Sequence, residues 1–232
     1  MKCEAIEQHY NVTLPPLFHT LFDDGMLDWM GGYGDPLPEG IDWVRDVYPK
    51  LHEHPPALFH TGGDLLMLTP RQILEYPLPE EWDTDRYAII PFARGSEENI
   101  FALFQERASS DEPMVALLWE DDTEAQILAR NFEDYLFRTM VEAADEIDRE
   151  TIDSEYRGQN APEAYRADIL RDLATIRPYL QAKYIEALED LYHGAVGETL
   201  VSYYFQGSRP AEQIIDDLIG FDRMNEEREI TR

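Results

Sequence analysis

The stretch from Tyr87 to Met140 constrains the fold more than any other part of the chain. Tyr87-Ala-Ile-Ile-Pro-Phe92 is a buried apolar run, and Arg94-Gly95-Ser96 is a turn. Asn99-Ile-Phe-Ala-Leu-Phe104 and Pro113-Met-Val-Ala-Leu-Leu-Trp119 are two further apolar runs. Short apolar runs bounded by turn residues read as strands. The charge cluster Glu120-Asp121-Asp122 must then face water or a partner. Asn131, three residues before Asp134, reads as the N-cap of a helix whose Phe132, Leu136, Met140 and Ala143 share one face at spacings of three to four. The segment is a sheet-forming scaffold with an acidic lip, and it contains no nucleophile or metal motif.

Upstream, residues 3 to 25 read as two short helices separated by Asn11 to Pro16. In the second, Pro16 suits the first turn, Leu17, Phe18, Leu21 and Phe22 make an inward stripe, and Gly25 stops it. Met26 to Gly40 is a Gly-, Pro- and Asp-rich loop carrying Trp29 and Tyr33. Trp43 to Leu51 reads as a short helix, Ala57–His60 and Leu65–Leu68 as paired strands around Gly62-Gly63, and Thr69-Pro70 as a capped helix start. From Asp145 onward the pattern is helical throughout. Tyr165, Ile169, Leu173 and Ile176 form one stripe, Tyr184, Leu188, Leu191 and Ala195 another, and Ala211 to Ile219 a last short helix, with Gly194 and Gly197 as weak points.

These features together resemble the SUKH superfamily. The resemblance rests on a glutamate-containing first helix, Leu14-Pro15-Pro16 followed by Leu17-Phe18-His19-Thr20-Leu21-Phe22, then the strands above and the closing Asn131-Phe132-Glu133-Asp134-Tyr135-Leu136. It covers roughly residues 3 to 143, about one domain. It implies an α+β fold, an antiparallel or mixed sheet with helices packed on one side, in residues 1–145, to which the helical pattern beyond adds an all-α C-terminal extension in 146–232. It also implies a function: many members of that superfamily are immunity proteins that bind a cognate bacterial toxin. The chain departs from the family pattern in its long aromatic region from Met26 to His60 and in the residues that follow the usual end.

Charge points the same way independently. The chain has 48 acidic against 19 basic residues, a formal net of -29. Up to Asp145 there are 29 acids against 9 bases, and beyond it 19 against 10. Such a field repels phosphates, which excludes direct nucleic-acid binding as an expectation, and it steers basic proteins toward the surface. The bland alternative is that the charge serves solubility alone. With 44% apolar residues the chain is no disordered acidic tail. The single Cys3 rules out an internal disulfide, and the acid-bearing start Met-Lys-Cys-Glu-Ala-Ile-Glu lacks the apolar run of a signal peptide. A cytoplasmic protein that engages no membrane is expected.

Few residues offer chemistry. His52, His54 and His60 could hold zinc if the fold converged them, but their spacing is no helical ligand pair and Pro55-Pro56 intervenes, so they read as a polar loop. Asp23, Asp24, Asp28 and Asp35 lack the register of a calcium loop. No catalytic residue, metal or cofactor is expected, although a hydrolase using buried carboxylates stands as a third reading. What remains is aromatics interleaved with acids on loops. Asp28, Trp29, Tyr33, Asp35, Trp43, Trp82, Asp83, Glu97, Glu98, Glu120, Asp121 and Asp122 are the expected partner-binding set, since interface hot spots favour Trp and Tyr and acids pair with a basic partner. The competing structural role, a Trp as core anchor, is strongest for Trp119 and even with binding for Trp29 and Tyr33. The expected function is neutralisation of a basic, nucleic-acid- or nucleotide-acting toxin domain by masking its active site. The alternative is a cytoplasmic adaptor or scaffold that uses its extension to form a homodimer.

Overall fold

The computed structural model describes residues 3–97 and 99–232. In chain order its elements are α1 (Cys3–Tyr10), α2 (Pro16–Asp23), a π-helical turn (Trp43–Val47), α3 (Tyr48–Glu53), β1 (Leu66–Met67), α4 (Pro70–Glu75), β2 (Tyr87–Arg94), β3 (Asn99–Glu106), β4 (Met114–Trp119) and β5 (Glu124–Ala129). There follow α5 (Phe132–Glu142), β6 (Ile147–Asp148), α6 (Arg149–Glu155), α7 (Ala161–Ile176), a 3-10 turn (Arg177–Tyr179), α8 (Ala182–Tyr192), β7 (Ala195–Glu198), β8 (Ser202–Gln206), α9 (Ala211–Leu218) and β9 (Glu227–Glu229). The fold is mixed α+β. Among the described residues no helix is long and apolar enough to cross a membrane. Packing divides the chain otherwise than by a single cut at residue 145. One unit holds the described residues up to Val47, Asp64–Tyr135 and Phe221–Arg232, and the other holds Tyr48–Gly63 and Leu136–Gly220.

The first unit is built on a six-stranded antiparallel sheet of order β1-β2-β3-β4-β5-β9. The three strands expected between Tyr87 and Trp119 are its centre. β5 was not anticipated, although Ala125, Ile127 and Ala129 alternate as buried residues along it. One sheet face carries Tyr87, Ile89, Ile100, Phe104, Leu118 and Ile127, covered by Trp82 and Ile230 with Tyr76, Leu78 and Phe221. The other takes Phe18 of α2 and Phe132 of α5, set edge-on about Phe92 with ring centroids 6.3 and 5.3 Å away. Each such side chain, fully buried, stabilises the unit by about 1.5–3 kcal/mol.

The capping signals hold. Asn131 Oδ1 accepts from the Asp134 amide at 2.9 Å, and Thr69 forms a reciprocal capping box with Gln72 at the start of α4. At the end of α2 the Gly25 amide donates to Phe22 O and the Met26 amide to Leu21 O, with Gly25 at φ 74°. That pair of bonds needs a left-handed residue, which is why glycine stands there.

In the second unit α7 buries Ile169, Leu173 and Ile176 of one expected stripe with Tyr165 half-buried, and α8 buries Tyr184, Leu188 and Leu191 of the other, whose last member, Ala195, is instead exposed on β7. Phe137 of α5 stacks on Tyr184 with centroids 4.1 Å apart, and the buried Tyr192 hydroxyl donates to Met140 O at 2.6 Å. The all-α expectation for residues 146–232 is overturned, because β6, β8 and β7 form a three-stranded antiparallel sheet here. Buried Tyr203 and Phe205 alternate with Tyr204, a period of two in place of the helical period expected from Asp145 onward. Gly197 is not a weak helix position. It lies across from Tyr204, whose ring occupies the space a Cβ would need. The last strand, β9, belongs to the first unit's sheet, where Ile230 is fully buried. Residues 57–60 are turn rather than strand, and only β1 pairs, with β2.

Candidate functional site

The Gly-rich loop after α2 is shaped by its own acid. Asp28 Oδ1 accepts from the Met30 amide at 2.8 Å and Oδ2 from the Gly32 amide at 2.6 Å, so this carboxylate folds the loop before it can serve anything else. The fold turns Trp29 inward, leaving it 9% exposed. With Phe18, Phe22, Met30, Met67 and Ile73 it lines a largely apolar cavity of about 270 Å³. That is below the usual range for a drug-sized ligand. Asp35 accepts from Gln72 Nε2 at 2.6 Å, tying the loop to the capping box of α4. Tyr33, and Trp43 in the π-helical turn, are half-buried.

The acidic lip lies at the other side of the same sheet. β1 and β5 stand four strand spacings apart, roughly 19 Å, so the described residues of the expected set do not form one patch. Glu120, Asp121 and Asp122 are exposed on the β4–β5 turn. The Tyr76 hydroxyl donates to Glu120 Oε1 at 2.9 Å, and burial together with that carboxylate pushes the Tyr76 phenol up. Asp122 Oδ1 accepts from the Thr123 amide at 2.7 Å, while its carbonyl accepts from Trp82 Nε1 at 3.4 Å. Trp82 itself is fully buried against the sheet. Its assignment as a surface anchor is therefore corrected: it holds the core beneath the lip. Asp83, half-buried, receives the Arg86 amide on Oδ1 at 3.1 Å and donates its own amide to Ile230 O at 2.6 Å. Glu97 is exposed in the β2–β3 turn, apart from both sets, and Glu98 lies outside the described residues.

β9 extends the lip with acids that sequence reasoning missed. Glu124 pairs with Glu229 and Gln126 with Glu227 in the antiparallel register. Like charges directly opposite on paired strands are destabilising. Repulsion from Glu227 first, with Asp122 and Glu229 adding to it, pushes the exposed Glu124 carboxyl above the ordinary glutamate range. Nearby arginines are engaged elsewhere: Arg228 Nε meets Glu226 at 3.1 Å and Arg232 meets Asp85 at 3.7 Å. The alternation of Glu124 to Ala129 was the available signal for β5. Nothing local in Glu227-Arg-Glu229 announces a strand, which forms because a sheet edge is there to pair with.

Of the three histidines weighed as a zinc set, His52 and His60 meet in the second unit at 3.0 Å between ring nitrogens, while His54 is exposed. Their neighbours, Asp168 and Asp172, were overlooked, yet two acids spaced i,i+4 among the apolar stripe of α7 are visible in the sequence.

No protein-family model, curated protein or solved structure matches the chain.

Proposed function

We propose that this chain is a protein-binding inhibitor, an immunity protein of SUKH-like type that masks the active site of a basic toxin domain. The observation that carries this reading is the lip of the first unit. Glu120, Asp121, Asp122, Glu124, Glu227 and Glu229 crowd one edge of the sheet, and two of them stand opposite one another in register. A fold that keeps such a repulsion at an exposed edge gives up stability for something else, and a cationic surface is what relieves it. A nuclease or nucleotide-acting toxin presents that surface where it binds phosphate. The acids would occupy this groove, and Trp29 with its apolar cavity would take an anchoring side chain at the far end of the interface.

The test is recovery of the partner from native cells on the tagged chain, followed by co-expression of the recovered domain in a sensitive host. Recovery of a secreted toxin's C-terminal domain that the chain neutralises supports the proposal. Loss of that neutralisation in a Glu124→Lys, Glu227→Lys variant places the surface at the lip. Recovery of housekeeping proteins alone transfers the reading to an adaptor.

A further inference from the structure

The second unit holds a polar cluster that partner binding in the first unit does not use. His52 lies on α3, His60 on the turn that follows it, and Asp168 and Asp172 one helical turn apart on α7. Asp172 is 1% exposed and fully engaged. It accepts from the His60 and Thr61 amides at 2.9 Å each, from Thr61 Oγ1 at 3.0 Å, and from His60 Nδ1 at 2.7 Å. A carboxylate only accepts, so His60 carries its proton on Nδ1 and turns the lone pair of Nε2 into the cluster, toward His52 Nδ1 at 3.0 Å. A buried carboxylate that fixes the tautomer and orientation of an imidazole in this way is the outer support found behind metal-binding histidines.

We propose that His52, His60 and Asp168 bind a divalent transition-metal ion of the zinc class. One ring nitrogen of each histidine and a carboxylate oxygen of Asp168 lie within 4.8 Å of one another. Nitrogens bound to a tetrahedral zinc stand about 3.3 Å apart, close to the His52–His60 separation here. The adjustment falls to His52, whose side chain is 33% exposed and gives the ion a route from solvent. Asp168 Oδ2 is held by the Tyr156 hydroxyl at 2.7 Å, while Oδ1 faces both Arg171 and the other ring nitrogen of His52, Nε2 at 4.0 Å, so His52 turns its ring to present one nitrogen to the ion, which takes the place Arg171 now shares. The formal charge suits a dication. Asp168, Asp172 and the neighbouring Glu155 outnumber Arg171 by two when the imidazoles are neutral. Three protein ligands leave a fourth position for water, the arrangement of open rather than closed zinc sites. Mixed imidazole and carboxylate donors favour zinc-like ions over calcium or magnesium.

The experiment uses the full chain, stripped with chelator, and two probes: calorimetric titration with ZnCl2 and the visible absorption of added Co2+. One ion per chain is expected. His52→Gln and His60→Gln should each weaken binding by more than the roughly 10–100-fold expected for Asp172→Asn as a positioning residue, and His54→Gln should leave it unchanged. His52 is partly exposed, so His52→Gln decides the matter even where His60→Gln fails to fold, with circular dichroism as the check. The proposal is overturned if the native chain takes up neither ion, if His54→Gln weakens binding as much as His52→Gln, or if His52→Gln binds like the native chain.

Discussion

Replacing Asp172 with alanine should be among the most damaging single changes in the second unit. Among the described residues the carboxylate is the sole partner of the Thr61 amide and hydroxyl and of the His60 amide and Nδ1–H, and Thr61 is 3% exposed. A buried donor left without an acceptor costs about 1–3 kcal/mol, and bonds to a charged acceptor lie at the upper end of what a hydrogen bond contributes. Four orphaned donors would exceed this if each took the full penalty. Water entering the space of the lost side chain satisfies part of them, so the expected loss is about 3–5 kcal/mol, the range for breaking a buried pair from one side. Asp172→Asn keeps an acceptor oxygen and should fall between. Urea unfolding at constant pH gives the loss, and amide exchange locates it: the His60 and Thr61 amides should lose protection before the α7 amides do. A loss under about 1 kcal/mol, or unchanged protection at those two amides, would refute the account of Asp172 as the tie between α7 and the turn after α3.

Three further outcomes can be checked. Trp82→Ala should destabilise the first unit by about 3–5 kcal/mol in denaturant titration, as expected for a large buried aromatic, and a near-neutral result would return Trp82 to the surface. Glu124→Gln should raise the melting temperature at pH 7 and change nothing well below the ordinary glutamate range. The folded-state carboxyl is pushed above its unfolded value, so its contribution is fully present below the unfolded value and lost as pH rises through the raised one. Gly25→Ala should cost about 1–2 kcal/mol because the new side chain must adopt a left-handed backbone, not for lack of space, since nothing lies within 4 Å of the added Cβ.

Local chemistry determined much of the first unit. Central strands rich in apolar residues, a proline at the first turn of α2, a glycine at its end, Asn131 and Thr69 as caps: each is specified within a few residues, so each was legible. The excess of acid, and with it the expectation of a basic partner, was equally plain. Tertiary structure decided what depends on distant pairing. β9 has no strand character of its own and exists because β5 offers an open edge. β8 carries a two-residue period short enough to be mistaken for part of a helix, and Gly197 of β7 lies in a strand where the ring of Tyr204 fills the space a Cβ would need. Trp82 could be assigned to core or surface only once Ile230, nearly 150 residues further along the sequence, was seen to close over the same sheet face. The same holds for the histidines. Spacing argued against His52 and His60 as a pair, and the buried turn after Pro55-Pro56 reverses that by returning His60 to His52 beside two acids more than a hundred residues away. Sequence fixes contacts within a helical turn or a strand, while contacts between remote segments depend on which surfaces the folded chain leaves to be covered.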